Sequence, residues 1–204
     1  MSRPTSAIVL GGGLAGIAAS LRLADAGVTV TLVETRKRLG GRATSHVDPA
    51  TGELIDNCQH VLLGCCTNLM HLYKRLGVTE AIGWHDALHF FDKQGHHDVL
   101  AASSLPAPLH LAPAMGRMNV LSGAARAAIR RAMLSIIRIG VRGRRRYAEQ
   151  SFGQWLVAQR QPVEAVDRFW AAIVISACNL APDRLSAEAA MQVFQEGFLS
   201  HRQR

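Results

Sequence analysis

Residues 7–34 constrain the fold most, because they have the pattern of one β-strand–α-helix–β-strand unit. Residues 7–10 form a short apolar run that ends in glycines, as a buried parallel strand does. Residues 14–26 carry apolar side chains at helical spacing, and Gly27 follows as a typical helix stop. Residues 28–33 are rich in β-branched residues and predict a second strand. The pattern predicts an α/β fold that begins with a Rossmann-like βαβ unit.

The glycines between the first strand and the helix form a G-x-G-x-x-G motif of Gly11, Gly13 and Gly16. In such a motif the glycines permit a tight turn, a close approach of pyrophosphate to the backbone, and close packing of the helix on the strand. The N-terminus of the helix then attracts the phosphates. Glu34 follows the second strand, where a carboxylate accepts hydrogen bonds from ribose hydroxyls and repels a 2′-phosphate. The motif predicts a site for FAD or NAD rather than NADP.

A second glycine pair follows in residues 34–43, ETRKRLGGRA, inside a cluster of cations. One helix N-terminus does not neutralise both phosphates of a dinucleotide. Gly40 and Gly41 can offer backbone N–H groups to the pyrophosphate, and the nearby arginines can offer guanidinium groups. A solvated loop is the alternative interpretation. The position of this turn, directly after the ribose-binding strand, favours a phosphate contact.

The composition excludes fewer classes of binding partner than the motifs do. The chain has 204 residues, of which 49% are hydrophobic, so a substantial buried core is expected. Its net charge of +8 suits nucleic acid, an anionic membrane or a phosphate-bearing cofactor, and does not choose among them. The longest later apolar run, residues 169–181, is shorter than the about 20 residues that span a bilayer. A soluble or peripheral protein is therefore expected.

The spacing of cysteines and histidines indicates neither a metal site nor a disulfide framework. The chain has no C-x-x-C pair, so reduced thiols and a cytoplasmic location are predicted. The histidines of residues 85–97 cluster loosely, without the acidic or cysteine pattern that would complete a metal site. The four cysteines are Cys58, Cys65, Cys66 and Cys178.

The second half of the chain has a mostly helical pattern. Residues 89–99 predict two short strands around a Gln94-Gly95 turn, and helices are predicted from Met118 onward. Residues 122–142 predict an amphipathic helix with a basic side, which either packs on the core with a solvated face or lies on an anionic membrane. The run of residues 142–146 is expected to be an exposed loop. Further helices are predicted over residues 152–159, 164–178 and 187–197, as a cap over a substrate site.

The motif GGGLAG followed by ETRKRLGGRA resembles the N-terminal signature of the FAD-dependent amine oxidase and desaturase superfamily. Residues 55–66, 105–113 and 169–198 resemble a narrower branch, the squalene-associated FAD-dependent desaturases, which are the hydroxysqualene dehydroxylases of bacterial hopanoid biosynthesis. The resemblance covers almost the whole chain. It implies an FAD-dependent oxidoreductase that removes the hydroxyl group of hydroxysqualene reductively. A carotenoid- or phytoene-type desaturase, an amine oxidase, and a non-enzymatic basic membrane-docking fragment are the alternatives.

The resemblance also implies which residues contact FAD. The glycine motif would hold the pyrophosphate, Glu34 the adenosine ribose, and the second turn the phosphates. The backbone near His60 and Val61 would approach the flavin, where Cys58 replaces the usual glycine and could crowd it. No matched motif identifies a catalytic residue. The expected cofactor-binding residues are Gly11, Gly12, Gly13, Leu14, Ala15, Gly16, Glu34, Arg36, Gly41, Arg42, His60 and Val61.

The resemblance further implies a division into two domains. We expect residues 1–84 to form the N-terminal part of an FAD-binding domain, and residues 85–204 a mostly helical substrate-binding or cap region. The C-terminal part of the FAD domain is expected to be missing, so the chain alone is expected to be inactive. The partner that the resemblance implies is an isoprenoid lipid substrate. The basic amphipathic helix adds a peripheral contact with the inner face of the cytoplasmic membrane, and no nucleic acid is expected, because no aromatic stacking platform or helix-turn-helix pattern accompanies the basic residues.

Overall fold

The structure, a computed structural model, describes residues 5–57 and 62–200. The chain divides into two compact units, Met1–Leu62 and Leu63–Arg204, which we call the first unit and the second unit. The division at residue 84 that the resemblance implies concerns functional roles, and it stays a prediction.

The first unit is built on the βαβ arrangement that the sequence predicts. Strand β1 (Ser6–Leu10) leads through the glycine turn into helix α1 (Leu14–Asp25) and then into strand β2 (Thr29–Val33). The two strands are parallel and pair along their whole length. A short antiparallel hairpin follows, with strands β3 (Ser45–Val47) and β4 (Leu54–Asp56), each too short to show a periodic pattern in the sequence.

The second unit begins with helix α2 (Thr67–Leu76), a 3₁₀ turn (Thr79–Ala81) and a hairpin. Strands β5 (Ala87–Phe91) and β6 (His97–Ala101) are antiparallel, which confirms the predicted pair of short strands. The carboxylate of Asp92 fixes the turn between them, because it accepts hydrogen bonds from the backbone N–H groups of residues 94 and 96.

Every regular element described after β6 is helical, which the sequence predicts from Met118 onward; the short helix Ala112–Gly116 before it was not predicted. Two of these helices contain a π-helical stretch that sequence periodicity does not distinguish from ordinary helix: Val166–Trp170 before α7 and Val193–Phe198 after α8. The elements are α3 (Ala112–Gly116), α4 (Gly123–Gly143), a 3₁₀ turn (Arg144–Tyr147), α5 (Phe152–Ala158), α6 (Val163–Ala165), α7 (Ala171–Cys178) and α8 (Ala187–Gln192).

The core of the second unit is a cluster of buried aromatic side chains. Trp170 is fully buried, and its ring meets the ring of Phe194 edge-on with centroids 4.9 Å apart. The indole N–H of Trp170 donates to Gln161 Oε1 at 2.8 Å, so its polar atom is satisfied. Helix α4 packs on this core through its predicted apolar side, where Ala125, Ala132 and other small or aliphatic residues are buried.

The basic run at the end of α4 is exposed at Arg142, Arg145 and Arg146, as the sequence predicts, but it is helical and not a loop, and Arg144 is not exposed. Residues 144–147 form a 3₁₀ turn, and the Arg144 side chain is only 12% exposed. Its guanidinium group bonds to the carboxylate of Glu196 at 2.7 Å and to Gln195 Oε1 at 3.2 Å. The prediction failed for Arg144 because its partners, Glu196 and Gln195, lie about 50 residues further along the chain. The backbone break lies at Gly140, with a φ of 65°.

Candidate cofactor site

The first glycine turn is tied to the end of β2. The backbone N–H of Gly11 donates to the carbonyl of Val33 at 2.8 Å, and Gly11 has a φ of +99°, which only glycine adopts readily. A Cβ added to Gly16 would lie 1.8 Å from the carbonyl oxygen of Gly11. Helix α1 therefore approaches the turn so closely that only glycine fits at position 16.

The N-terminus of α1 lacks a side-chain cap. Gly13 is the N-cap residue, and the first helical hydrogen bond runs from Ile17 N–H to the Gly13 carbonyl at 2.9 Å. By helix geometry, the N–H groups of Leu14, Ala15 and Gly16 have no acceptor within the helix. These N–H groups, together with the positive end of the helix dipole, form a site for an anion.

Glu34 holds its carboxylate against the first glycine turn. Its Oε2 accepts a hydrogen bond from the Gly12 N–H at 2.7 Å, while Oε1 accepts from the Arg36 N–H at 2.9 Å and from the Thr35 hydroxyl at 3.1 Å. These donors, first the Arg36 N–H and then the Gly12 N–H, lower the pKa of Glu34 from its ordinary value. The carboxylate is therefore ionised and oriented at neutral pH.

The second glycine turn packs directly on the first, backbone against backbone. The Gly40 N–H donates to the Gly12 carbonyl at 2.8 Å, and Gly13 and Gly40 form a parallel bridge. A Cβ added to Gly41, whose φ is +63°, would lie 3.0 Å from the Gly13 Cα. The two turns that the sequence predicts to share one ligand are thus brought together.

The arginines of the second turn divide into two kinds. Arg38 donates from Nη1 to the carbonyl of Ser45 at 2.8 Å, so its guanidinium group serves the fold. Arg36 and Arg42 are exposed, and within the described ranges neither side chain has a hydrogen-bond or ion-pair partner. Their guanidinium groups are therefore available to a phosphate.

Three residues of the predicted flavin side, Cys58, His60 and Val61, lie outside the described residues. The predicted approach of this backbone to the flavin stays a prediction. Among the residues that the structure describes, no group of three or more histidine, cysteine or acidic side chains is placed to hold a metal ion.

The second unit contains an apolar cavity of about 320 Å³ that the sequence did not predict. Its signal in the sequence is a pair of aliphatic residues, Leu134 and Ile137, on the side of α4 that carries the arginines. The cavity lies between α4 and the segment that includes α3. Its lining includes Leu109, Leu111, Met115, Met118, Arg130, Met133, Leu134, Ile137, Phe169 and Leu199.

Most of the chain matches a known protein family. The flavin-containing amine oxidoreductases match over residues 14–196. The chain belongs to this family. FAD is accordingly its cofactor, and the glycine turns, the uncapped helix and Glu34 are an arrangement that fits it. The predicted α/β flavoprotein fold is confirmed.

Several known proteins resemble the chain over different lengths. Zeta-carotene desaturase from Zea mays is 29% identical over 196 residues, which is 91% of this chain and 34% of the desaturase. Hydroxysqualene dehydroxylase from Rhodopseudomonas palustris is 49% identical over 55 residues, 27% of this chain and 13% of that protein. A triple mutant of putrescine oxidase has the same fold, with a TM-score of 0.62 and 21% identity, covering 93% of this chain and 41% of the oxidase. The chain spans about a third of the length of the curated relatives that it matches along most of its length.

Proposed function

We propose that this FAD-dependent oxidoreductase acts on an isoprenoid lipid, and that its reaction is the reductive removal of the hydroxyl group of hydroxysqualene to give squalene in hopanoid biosynthesis. The main support for hydroxysqualene as the substrate is the 49% identity over 55 residues to a hydroxysqualene dehydroxylase. The stretches 55–66, 105–113 and 169–198, which resemble the same branch, support it.

The first unit would hold the adenosine and pyrophosphate half of FAD. The N–H groups of Leu14 and Ala15 at the start of α1 would bind one phosphate, and the backbone of Gly11 to Gly13 would lie beside it. Arg36 and Arg42 would contact the pyrophosphate from the second turn, next to Gly41, because their side chains are exposed and available. His60 and Val61 would lie along the flavin. When bound and reduced by an external reductant, the flavin would supply the two electrons that replace the hydroxyl group by hydrogen, and the oxygen would leave as water.

Glu34 would bind the ribose. A carboxylate has about four lone-pair positions, and the Glu34 carboxylate uses three of them on the protein. One position is left for a ribose hydroxyl, and the exposed hydroxyl of Thr35 can be displaced to provide a second. The negative charge would exclude a dinucleotide with a 2′-phosphate.

The second unit would hold the lipid. Its cavity of about 320 Å³ lies within the range of about 300–1,000 Å³ for small-molecule pockets. The lining consists mostly of aliphatic, methionine and aromatic side chains, with arginines as the charged exceptions. Such a surface gains free energy by burying a hydrocarbon chain.

The test of the reaction is incubation with hydroxysqualene and a flavin reductant, followed by product analysis. The chain is supplied in full-length context, joined to the C-terminal part of the Rhodopseudomonas palustris relative. Squalene formation that requires FAD and the reductant supports the proposal. Absence of squalene from an enzyme that carries FAD and becomes reduced would overturn it.

Two other reactions of the same family have specific observations in their favour. The match to the zeta-carotene desaturase covers 91% of this chain, which favours a carotenoid- or phytoene-type desaturation. The likeness to putrescine oxidase supports an amine oxidase through the fold alone. Zeta-carotene and putrescine are therefore included as substrates. A product from either one, without squalene from hydroxysqualene, would replace the first proposal.

We also propose that residues 1–204 by themselves are inactive. In the described part of the first unit the parallel sheet has only two strands, and Ile8 and Leu10 are 71% and 80% exposed. A sheet of this size is marginal, and exposed apolar strands favour aggregation. The visible spectrum of the purified chain tests this. Bound flavin together with turnover of hydroxysqualene would contradict it.

Such a substrate would be met at a membrane, so we propose a cytoplasmic protein that binds peripherally to the inner face of the cytoplasmic membrane. Among the described residues, no helix combines the length and apolar character needed to cross a bilayer. The contact would therefore be made by a surface, not by a spanning segment.

A further inference from the structure

The positive charge of the chain is concentrated in one segment. Residues 99–148 contain nine arginines and no aspartate or glutamate. The other residues hold the remaining 14 of the 23 cations and all 15 acidic residues, so they nearly balance. A segment with this composition attracts an extended anionic surface rather than a single anionic group.

The arginines of this segment are used in two different ways. Arg126 donates to the carbonyls of Met118 and Leu121 at 2.6 and 2.7 Å, and Arg144 pairs with Glu196, so these two stabilise the fold. Arg130, Arg131 and Arg138 are exposed on the opposite side of α4 from its buried residues. In the part of the chain that the structure describes, no carboxylate lies within ion-pair distance of these three.

Apolar side chains are exposed among these arginines. Arg130, Leu134 and Arg138 are spaced four residues apart and therefore lie along one side of α4. Leu134 is 40% exposed and Leu109 is 48% exposed. We call Leu109, Arg130, Arg131, Leu134 and Arg138 the arginine face.

The arginine face includes the mouth of the cavity. Leu109, Arg130 and Leu134 are exposed and also line the cavity, so it opens between them. We propose that the arginine face docks on an anionic lipid bilayer, and that the cavity receives its ligand from the outer part of that leaflet.

Charge and shape both favour this occupant. Cations near an anionic bilayer gain free energy from its surface potential, and aliphatic side chains between them gain more by entering the headgroup region. Binding of single-stranded nucleic acid commonly uses aromatic platforms, whereas the exposed apolar members of this face are leucines. The proposal of docking depends only on the residues of the arginine face. Only the identity of the lipid that enters the cavity rests on the proposed function.

The electrostatic part is tested by co-sedimentation of the whole chain with vesicles. Vesicles of phosphatidylcholine with 30–40% phosphatidylglycerol, roughly the anionic content that gives a strong surface potential, are compared with phosphatidylcholine alone. We expect the triple variant R130Q/R131Q/R138Q to bind the anionic vesicles at least about tenfold more weakly. The control R22Q/R160Q/R184Q removes the same charge from exposed arginines outside residues 99–148 and should change binding less than about twofold. Circular dichroism establishes that both variants are folded.

The apolar contribution to docking is tested with a second variant and its matched control. L134Q should reduce the binding that persists at high salt, because that fraction depends on insertion of side chains. V157Q is the control, since Val157 is 77% exposed on α5 and does not line the cavity. Equal effects of the two substitutions would contradict docking through the arginine face.

Entry of lipid is tested with squalene dissolved in the vesicles. A127F places a large ring on a residue that lines the cavity, whereas A124F places it on an exposed residue of α4 that does not. After incubation, the protein is released with salt and its squalene is extracted and measured. We expect much less squalene per molecule of vesicle-bound protein with A127F than with A124F. Equal squalene in both would overturn entry through this cavity.

The remaining outcomes are decisive as well. Binding that is equal for neutral and anionic vesicles, or equal for the two triple variants, overturns the docking. Preferential binding of RNA or DNA in competition with anionic vesicles overturns it in favour of nucleic acid. These measurements need neither bound flavin nor turnover. If the chain docks on vesicles but produces no squalene in full-length context, the docking proposal is supported and the proposed reaction is refuted.

Discussion

The two units of the molecule are stabilised in different ways. In the described part of the chain, every fully buried hydrophobic side chain belongs to the second unit, and α1 of the first unit buries none completely. The first unit is instead shaped by backbone contacts between two glycine turns and by a carboxylate bonded to one of them. The unit with the proposed FAD site is thus the one with the weaker hydrophobic core. Its shape depends on a few positions at which no other residue fits.

The largest expected effect is in the core of the second unit. Trp170→Ala should lower the free energy of unfolding by about 3–5 kcal/mol, because it empties the centre of the aromatic cluster and leaves Gln161 without its indole partner. Urea denaturation measures the change. Trp84→Ala is the control, since Trp84 is 49% exposed and should cost less than about 1 kcal/mol. Equal losses would show that the difference in packing is not the source of stability.

The next largest effect is expected at the first glycine turn. Gly16→Ala should destabilise the βαβ unit by about 3 kcal/mol, because the added Cβ would meet the backbone carbonyl of Gly11, which has no rotamer to change. FAD binding should be lost with it. Gly116→Ala is the control in the second unit, where a Cβ meets nothing within 4 Å. The flavin content of the two variants is measured by absorbance in full-length context. An unchanged content in Gly16→Ala would refute the close approach.

A smaller loss is expected from the polar contacts to FAD. Glu34→Ala and Arg42→Ala should each weaken FAD binding by about 1.5–3 kcal/mol, because each would remove a charge-assisted hydrogen bond that we propose to the ribose or the pyrophosphate. Titration of the apoprotein in full-length context with FAD measures both. Lys37→Ala is the matched control, because it is an exposed cation of the same turn. Unchanged affinity in both Glu34 and Arg42 variants would refute this map of the site.

The smallest effect concerns pH. The pKa of Glu34 is lowered in the folded protein, so its hydrogen bonds contribute stability at any pH above the ordinary glutamate value of about 4.3. This contribution should be lost only as the pH falls below that value. The Gly12 amide resonance in NMR spectra should shift with a midpoint below that value, because the amide donates to the Glu34 carboxylate. Glu34→Gln should remove this step, and a midpoint above the ordinary value would contradict the assigned hydrogen bonds.

The sequence predicts the first unit well because steric limits leave few alternatives there. Gly11 with its positive φ and Gly16 with its close contact can hardly be any other residue, and Glu34 stands at a spacing that the nucleotide sets. The sequence predicts that the two glycine turns bind the same ligand, but it does not predict that Gly13 and Gly41 are in contact. The structure shows that the two turns also touch each other directly.

The second unit is less predictable because its features depend on contacts distant in sequence. Helical periodicity identifies α4 and its buried side, but not the break at Gly140 or the pairing of Arg144 with Glu196. The cavity was missed for the same reason, since Phe169 and Leu199 reach it from elements far along the chain. Periodicity describes one helix at a time, whereas a cavity is a property of several.

The hydrogen bond from Gly12 to Glu34 has a consequence for how this protein can change its cofactor. The same carboxylate that would read the ribose also orients the turn that would hold the phosphates. A residue at position 34 that has neither charge nor an acceptor atom, such as alanine, would at the same time release the Gly12 amide. An intermediate with this single replacement would therefore bind its old cofactor poorly and its new one no better. Position 34 should therefore accept few residues, because its side chain has to suit both the nucleotide and the Gly12 amide.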